Sequence, residues 1–177
     1  MHRIALALLL AGCTAHEPDP AVRDVEMIHE PCTPVTPIDI DDDARPDLVR
    51  GAAPDGTTCT SFDLNLDGVA DQHVYLDAQL RDRRRESDLD GDGHIDEISH
   101  LLAGVVSRID RDLDGDHRVD TWDLREHGNL ARRERDSDGD GRVDQWWTFP
   151  TAGCPLIARD GDGDGRPDGP PAPEPCD

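Results

Sequence analysis

Three observations predict a mainly β fold: a repeat array of short strand-turn-strand units forming an antiparallel meander, with acidic loops joining the units. A nine-residue pattern, D-x-D/N-x-D-x-x-x-D, recurs six times, starting at Asp39, Asp63, Asp88, Asp112, Asp136 and Asp160, at intervals of 24 or 25 residues. A fixed period of this length means that one supersecondary unit is repeated. The stretches between the loops are divided near their middle by turn residues, Asp77-Ala78, Ala103-Gly104, Gly128-Asn129 and Ala152-Gly153, as hairpins require. The runs before those turns, "HVYL", "TWDL" and "QWWTF", hold the β-branched and aromatic residues that suit a pleated surface. Pro150 and Pro155 forbid a helix across the fifth unit. The third unit argues the other way, because Ile98, Leu101, Leu102, Val105, Val106 and Ile109 follow helical spacing. Gly104 in their midst weakens that helix.

From the amino terminus, residues 1–12 carry Arg3 and an apolar run, Ile4 to Leu10, that is too short to span a bilayer. They end in the string Leu10-Ala11-Gly12-Cys13, which resembles the signal and lipobox of bacterial lipoproteins. The resemblance implies lipidation of Cys13 and a cell-envelope location, anchored to the membrane through that lipid. Thr14, in the place where Asp favours inner-membrane retention, points to the outer membrane. Residues 13–31, rich in proline and charge, read as a lipidated cysteine followed by a flexible tether.

Residues 32–177 form the repeat domain. Positions 1, 3, 5 and 9 of the loops hold Asp39, Asp41, Asp43 and Asp47; Asp63, Asn65, Asp67 and Asp71; Asp88, Asp90, Asp92 and Asp96; Asp112, Asp114, Asp116 and Asp120; Asp136, Asp138, Asp140 and Asp144; and Asp160, Asp162, Asp164 and Asp168. Alternate residues of a tightly curled loop point inward, and a hard Ca²⁺ ion takes six to eight oxygen ligands, with the position 7 carbonyl among them. The chain holds 32 Asp against 8 Glu, a preference that a merely solvated acidic surface has no reason to show. Position 6 needs a residue that reaches positive φ, which Gly68, Gly93, Gly141 and Gly165 do at no steric cost. His117 is tolerable there and Ala44 less so, which ranks the first loop weakest. Up to six Ca²⁺ would take the formal charge from −22 to −10.

These loops resemble those of EF-hands, dockerins, thrombospondin type 3 repeats and integrin-type propeller blades. An EF-hand closes on a bidentate Glu at position 12, but here that position holds Arg50, Val74, Ser99, Asp123, Trp147 and Pro171. The acid at position 9 is similar to that of the integrin-type and thrombospondin-type loops. A dockerin-like helical array and an irregular thrombospondin type 3-like array are the alternative folds.

With Cys13 set aside, four cysteines remain, an even number suited to an oxidising compartment and open to three pairings. Position favours Cys32 with Cys59 around the first loop and Cys154 with Cys176 around the sixth, as caps on the ends of an array. Trp122 and Trp146 share repeat position eleven with His73 and Ile98, a packing stripe. All 18 basic residues are Arg, expected to pair with acids across strands.

The chain has no H-E-x-x-H, G-x-S-x-G or P-loop, its histidines are scattered, and its charge of −22 opposes nucleic-acid binding. The expectation is therefore a non-catalytic, calcium-binding, lipid-anchored envelope protein with a structural or adhesive role. A dockerin-like module that recruits a protein partner in a calcium-dependent way is the alternative.

Overall fold

A computed structural model describes residues 23–175 as one antiparallel sheet of twelve strands in chain order. They are β1 (Thr33–Ile38), β2 (Leu48–Ala52), β3 (Thr58–Phe62), β4 (Gln72–Leu76), β5 (Asp82–Ser87), β6 (Glu97–Leu102), β7 (Val105–Arg111), β8 (Thr121–Glu126), β9 (Asn129–Arg135), β10 (Gln145–Thr148), β11 (Leu156–Arg159) and β12 (Ala172–Pro173). Every strand pairs with its sequence neighbour, and the sheet does not close on itself. The meander predicted from the repeat is the observed fold. The helical alternative fails, because no helix forms among the described residues.

The third unit shows why helical spacing misled. Its apolar residues fall on β6 and β7, and Ala103 and Gly104 between them both take positive φ, 54° and 82°. Two successive residues of this kind make the tight turn whose twist matches a hairpin. In the next unit the corresponding pair is His127 and Gly128, at 52° and 83°, one residue earlier than the expected Gly128-Asn129. Close to these turns the register slips between Tyr75 and Leu76, His100 and Leu101, and Leu124 and Arg125, so a bulge recurs in three successive units. Bulges bend a strand and increase its twist.

A single-layer sheet buries little, and here one face carries a specific row. His73, Glu86, Ile98, Asp110, Trp122, Glu134, Trp146 and Ala158 lie directly opposite one another across successive strands. The stripe expected at repeat position eleven is this row. Its apolar members Ile98, Trp122 and Ala158 are buried, and Trp122 packs with Val119, Val143, Met27 and Trp146. Its acids are buried too, and each is paired with an arginine two residues earlier on the same strand: Arg84 with Glu86, Arg108 with Asp110, and Arg132 with Glu134. Residues two apart on a strand share a face. The expected cross-strand pairs occur on the opposite face, where buried Asp123 accepts from Arg111 at 2.6 Å and from Arg133 at 2.6 Å.

Residues 23–31, read from the sequence as part of a flexible tether, are extended but held against the sheet. They run backward across the first face, from the fifth loop at Gly141 to β5 at Glu86, before Cys32 bonds to Cys59. That disulfide is the expected amino-terminal cap. Cys154 is also disulfide-bonded, while Cys176, its expected partner, lies outside the described residues, as do Cys13 and the leader.

Candidate metal-binding loops

The six acidic loops occupy alternate strand connections, β1–β2, β3–β4, β5–β6, β7–β8, β9–β10 and β11–β12, and therefore share one edge of the sheet. Strands spaced by about 4.8 Å put neighbouring loops roughly 10 Å apart. All 24 residues predicted at positions 1, 3, 5 and 9 lie on this edge.

Each loop is built by its own carboxylates. In the fifth loop, Asp136 at position 1 accepts from the amides of Gly139 and Gly141 at 2.8 Å each, and Asp138 at position 3 accepts from Asp140 at 3.2 Å. Asp140 at position 5 accepts from Arg142 at 2.8 Å, and Asp144 at position 9 reaches back to Ser137 at 2.5 Å. The same contacts from positions 1 and 9 recur in the first loop, at Asp39 and Asp47, and in the sixth, at Asp160 and Asp168. The short reach of Asp suits them. A Glu, one methylene longer, would overshoot these local amides.

Position 6 has positive φ throughout: Ala44 at 72°, Gly68 at 91°, Gly93 at 90°, His117 at 68°, Gly141 at 83° and Gly165 at 77°. The first loop, expected to suffer from Ala44, adopts the same backbone. Position 4 was missed. It too is positive in every loop, at Asp42, Leu66, Gly91, Gly115, Gly139 and Gly163. The signal was present, because four of those six residues are glycine.

Carboxylate oxygens converge within 4.8 Å in five loops, from Asp88, Asp90 and Asp96; Asp112, Asp114 and Asp120; Asp136, Asp138 and Asp144; Asp160, Asp162 and Asp168; and, in the first loop, Asp39, Asp41 and Asp43. In the second loop Asn65 replaces a carboxylate and turns its amide nitrogen to Asp71 at 3.1 Å. Crowding shows in the acidities. The neighbouring Asp164 carboxylate, joined by Asp168 and Asp160, pushes the Asp162 carboxyl up. Burial, then Asp144 and Asp140, raise that of Asp136 against the opposing glycine amides. At the more exposed Asp160 the Gly165 and Gly163 amides outweigh burial and hold the carboxyl low. These oxygens form a hard, anionic donor set that could hold a metal ion.

No protein-family model and no curated protein matches the chain. Among solved structures, a chain in the crystal structure of accessory secretory proteins 1, 2 and 3 from Streptococcus pneumoniae is similar at 15% identity, with a TM-score of 0.34. The match covers 78% of this chain and 23% of that one, a likeness too slight to carry an argument.

Proposed function

We propose that the protein is a calcium-binding, lipid-anchored component of a bacterial envelope whose role is structural or adhesive rather than catalytic. One observation carries this reading: six loops share one backbone path, with positive φ at positions 4 and 6, and hold their acidic side chains on one edge. Positions 1, 3, 5 and 9 would hold the ions, with the position 7 carbonyls of Arg45, Val69, His94, Arg118, Arg142 and Arg166 completing each set. The ion supplies charge neutralisation. In the folded sheet the chain's own amides orient the carboxylates.

Stability is the expected consequence. With affinities of roughly 0.1 to 1 mM and about 2 mM calcium, linkage stabilises the fold by roughly 0.6 to 2 kcal/mol per site. Lipidation of Cys13 and an outer-membrane location belong to the same proposal and rest on the "LAGC" string. The helical fold of the dockerin-like alternative is contradicted by the all-β sheet, which bears on its fold and not on recruitment itself.

Calorimetric titration of the lipid-free chain tests the calcium reading. Uptake of up to six equivalents is expected, together with a rise in β-structure when calcium is returned to a chelated sample. No heat and no stoichiometric uptake at millimolar calcium would overturn it.

A further inference from the structure

We infer that residues 23–31 form a strap whose docking is coupled to cation binding in the fourth and fifth loops, so that calcium sets how much of the amino-terminal segment lies free of the sheet. The inference rests on the calcium reading above.

The strap touches those two loops through their backbones. Its Arg23 amide donates to the carbonyl of Gly141 at 2.6 Å, and its Met27 amide donates to the carbonyl of His117 at 2.9 Å. Both acceptors are position 6 residues. Between these contacts the amide of Val119 donates to the Val25 carbonyl at 2.8 Å. That last bond matters most. The Val119 N–H and the Arg118 C=O belong to one trans peptide, in which the two groups point in opposite directions. An acceptor on the N–H side therefore fixes the orientation of the position 7 carbonyl, a proposed ligand, and aims it away from the strap. Polarisation passes through the same peptide, since a cation at the carbonyl makes the N–H a better donor.

Side chains reinforce the contact. Asp24 pairs with Arg118, and Arg23 pairs with buried Glu134 while lying over the Trp122 ring. Arg23 and Asp24 also line the cleft between the two loops, facing Asp116 and Asp140. Farther along, His29 and the Glu30 amide bond Glu86 at 2.6 and 2.9 Å. The remaining loops bond no strap amide among the described residues. Linkage is reciprocal, so a strap that orients a ligand in the fourth loop and bonds the backbone of the fifth must be held more firmly when those loops are filled. Released as far as Cys32, nine residues would add up to about 30 Å of reach.

The test is calcium titration of the full lipid-free chain and of its R23A/M27P variant, which lacks the Arg23 side-chain contacts and the Met27 donor. Uptake is followed by calorimetry, and hydrogen exchange is read at the Met27, Val119, Gly141 and Gly68 amides. In the wild type, protection at Met27 and Val119 should rise over the same calcium range as protection at Gly141. In the variant, two of the six sites should weaken by about fivefold or more, the lower end of ordinary coupling, while the Gly68 loop keeps its affinity. If the double variant loses its β-structure, Asp24→Ala should show the same two-site pattern more weakly. Unchanged affinity at all six sites overturns the coupling and leaves the calcium reading standing, and uniform weakening of all six overturns its locality. Absence of uptake by the wild type overturns both.

Discussion

Replacing Asp136 by Ala separates the two jobs assigned to a position 1 carboxylate, and the expected loss can be worked from its contacts. The side chain is 6% exposed, and its two oxygens take the Gly139 and Gly141 amides at 2.8 Å each. Hydrogen bonds to a charged group contribute about 1.5 to 3 kcal/mol each, so the two together set the loss at roughly 3 to 6 kcal/mol when calcium is bound. Asp138, in the same loop, is exposed and takes a single amide at 3.2 Å, so Asp138→Ala should cost only about 1 kcal/mol beyond its share of the ion. Without the ion the ranking narrows. Burial and the Asp144 and Asp140 carboxylates already disfavour the charged form of Asp136, so its removal relieves repulsion as it breaks bonds. Urea unfolding followed by tryptophan fluorescence, in saturating calcium and in chelator, measures both differences. Equal losses for the two variants in calcium, or a larger loss for Asp136→Ala in chelator than in calcium, would refute the reasoning.

Ala44→Gly should stabilise the first unit by about 1 kcal/mol, because Ala44 sits at φ 72°, where a Cβ is penalised; an unchanged or lowered unfolding midpoint in calcium would contradict this. Asp123→Asn leaves Arg111 and Arg133 without their shared carboxylate and should cost about 2 to 3 kcal/mol, below the figure for a fully buried pair because both arginines reach solvent. Burial would raise the Asp123 carboxyl, but bonds from Arg133 and Arg111 prevail and hold it below 3.8. Its stabilisation is thus complete above about pH 5 and fades as pH falls below about 4, so the gap between wild type and Asp123→Asn should shrink in acid. A gap constant from pH 6 to pH 3 would contradict the assignment. Removing the Cys32–Cys59 bond by double serine substitution frees a sequence separation of 27 and should cost about 3 kcal/mol in oxidising buffer. The unfolding free energies of the two proteins, compared with and without reductant, check that figure.

Much of the fold was legible because its instructions are local and repeated. Pro150 and Pro155 excluded a helix in the fifth unit, and the rest of the array follows the same period. Glycine at position 6 could be read as a backbone requirement, and the positive φ of Ala44 and His117, 72° and 68°, shows that the loop's hydrogen bonds impose the turn even where the residue resists it. The strap was not legible, because its partners lie far away in sequence. Arg23 and Glu134 are 111 residues apart, and nothing in "RDVEMIHEP" announces which strand it will cross. The buried acids were hidden for a related reason. Arg84-Arg85-Glu86, Arg108-Ile109-Asp110 and Arg132-Arg133-Glu134 look like solvated charge in sequence. Only the register shows that the first and third residues of each triplet share a face that the strap covers in part.

How strongly the loops depend on one another follows from the residue at position 9. Its carboxylate folds back on its own loop, while its carbonyl accepts the amide of the next loop's position 1: Asp47 from Asp63, Asp71 from Asp88, Asp96 from Asp112, Asp120 from Asp136 and Asp144 from Asp160, all at 2.8 or 2.9 Å. Each loop thus ends on the residue that anchors its successor. Disorder at one position 9 loosens the next position 1, whose carboxylate takes the amides of positions 4 and 6 of its own loop, whereas loops two units apart share no such contact. Arrays coupled only to nearest neighbours behave as one-dimensional chains. On the calcium reading, filling one loop should therefore strengthen its immediate neighbours and leave distant ones alone. Loss of position 9 in a middle loop, as in Asp96→Ala, should split the array into two weakly coupled halves rather than lower all six affinities alike. Site-resolved hydrogen exchange during a calcium titration distinguishes the two outcomes, and uniform weakening across the loops would rule out nearest-neighbour coupling.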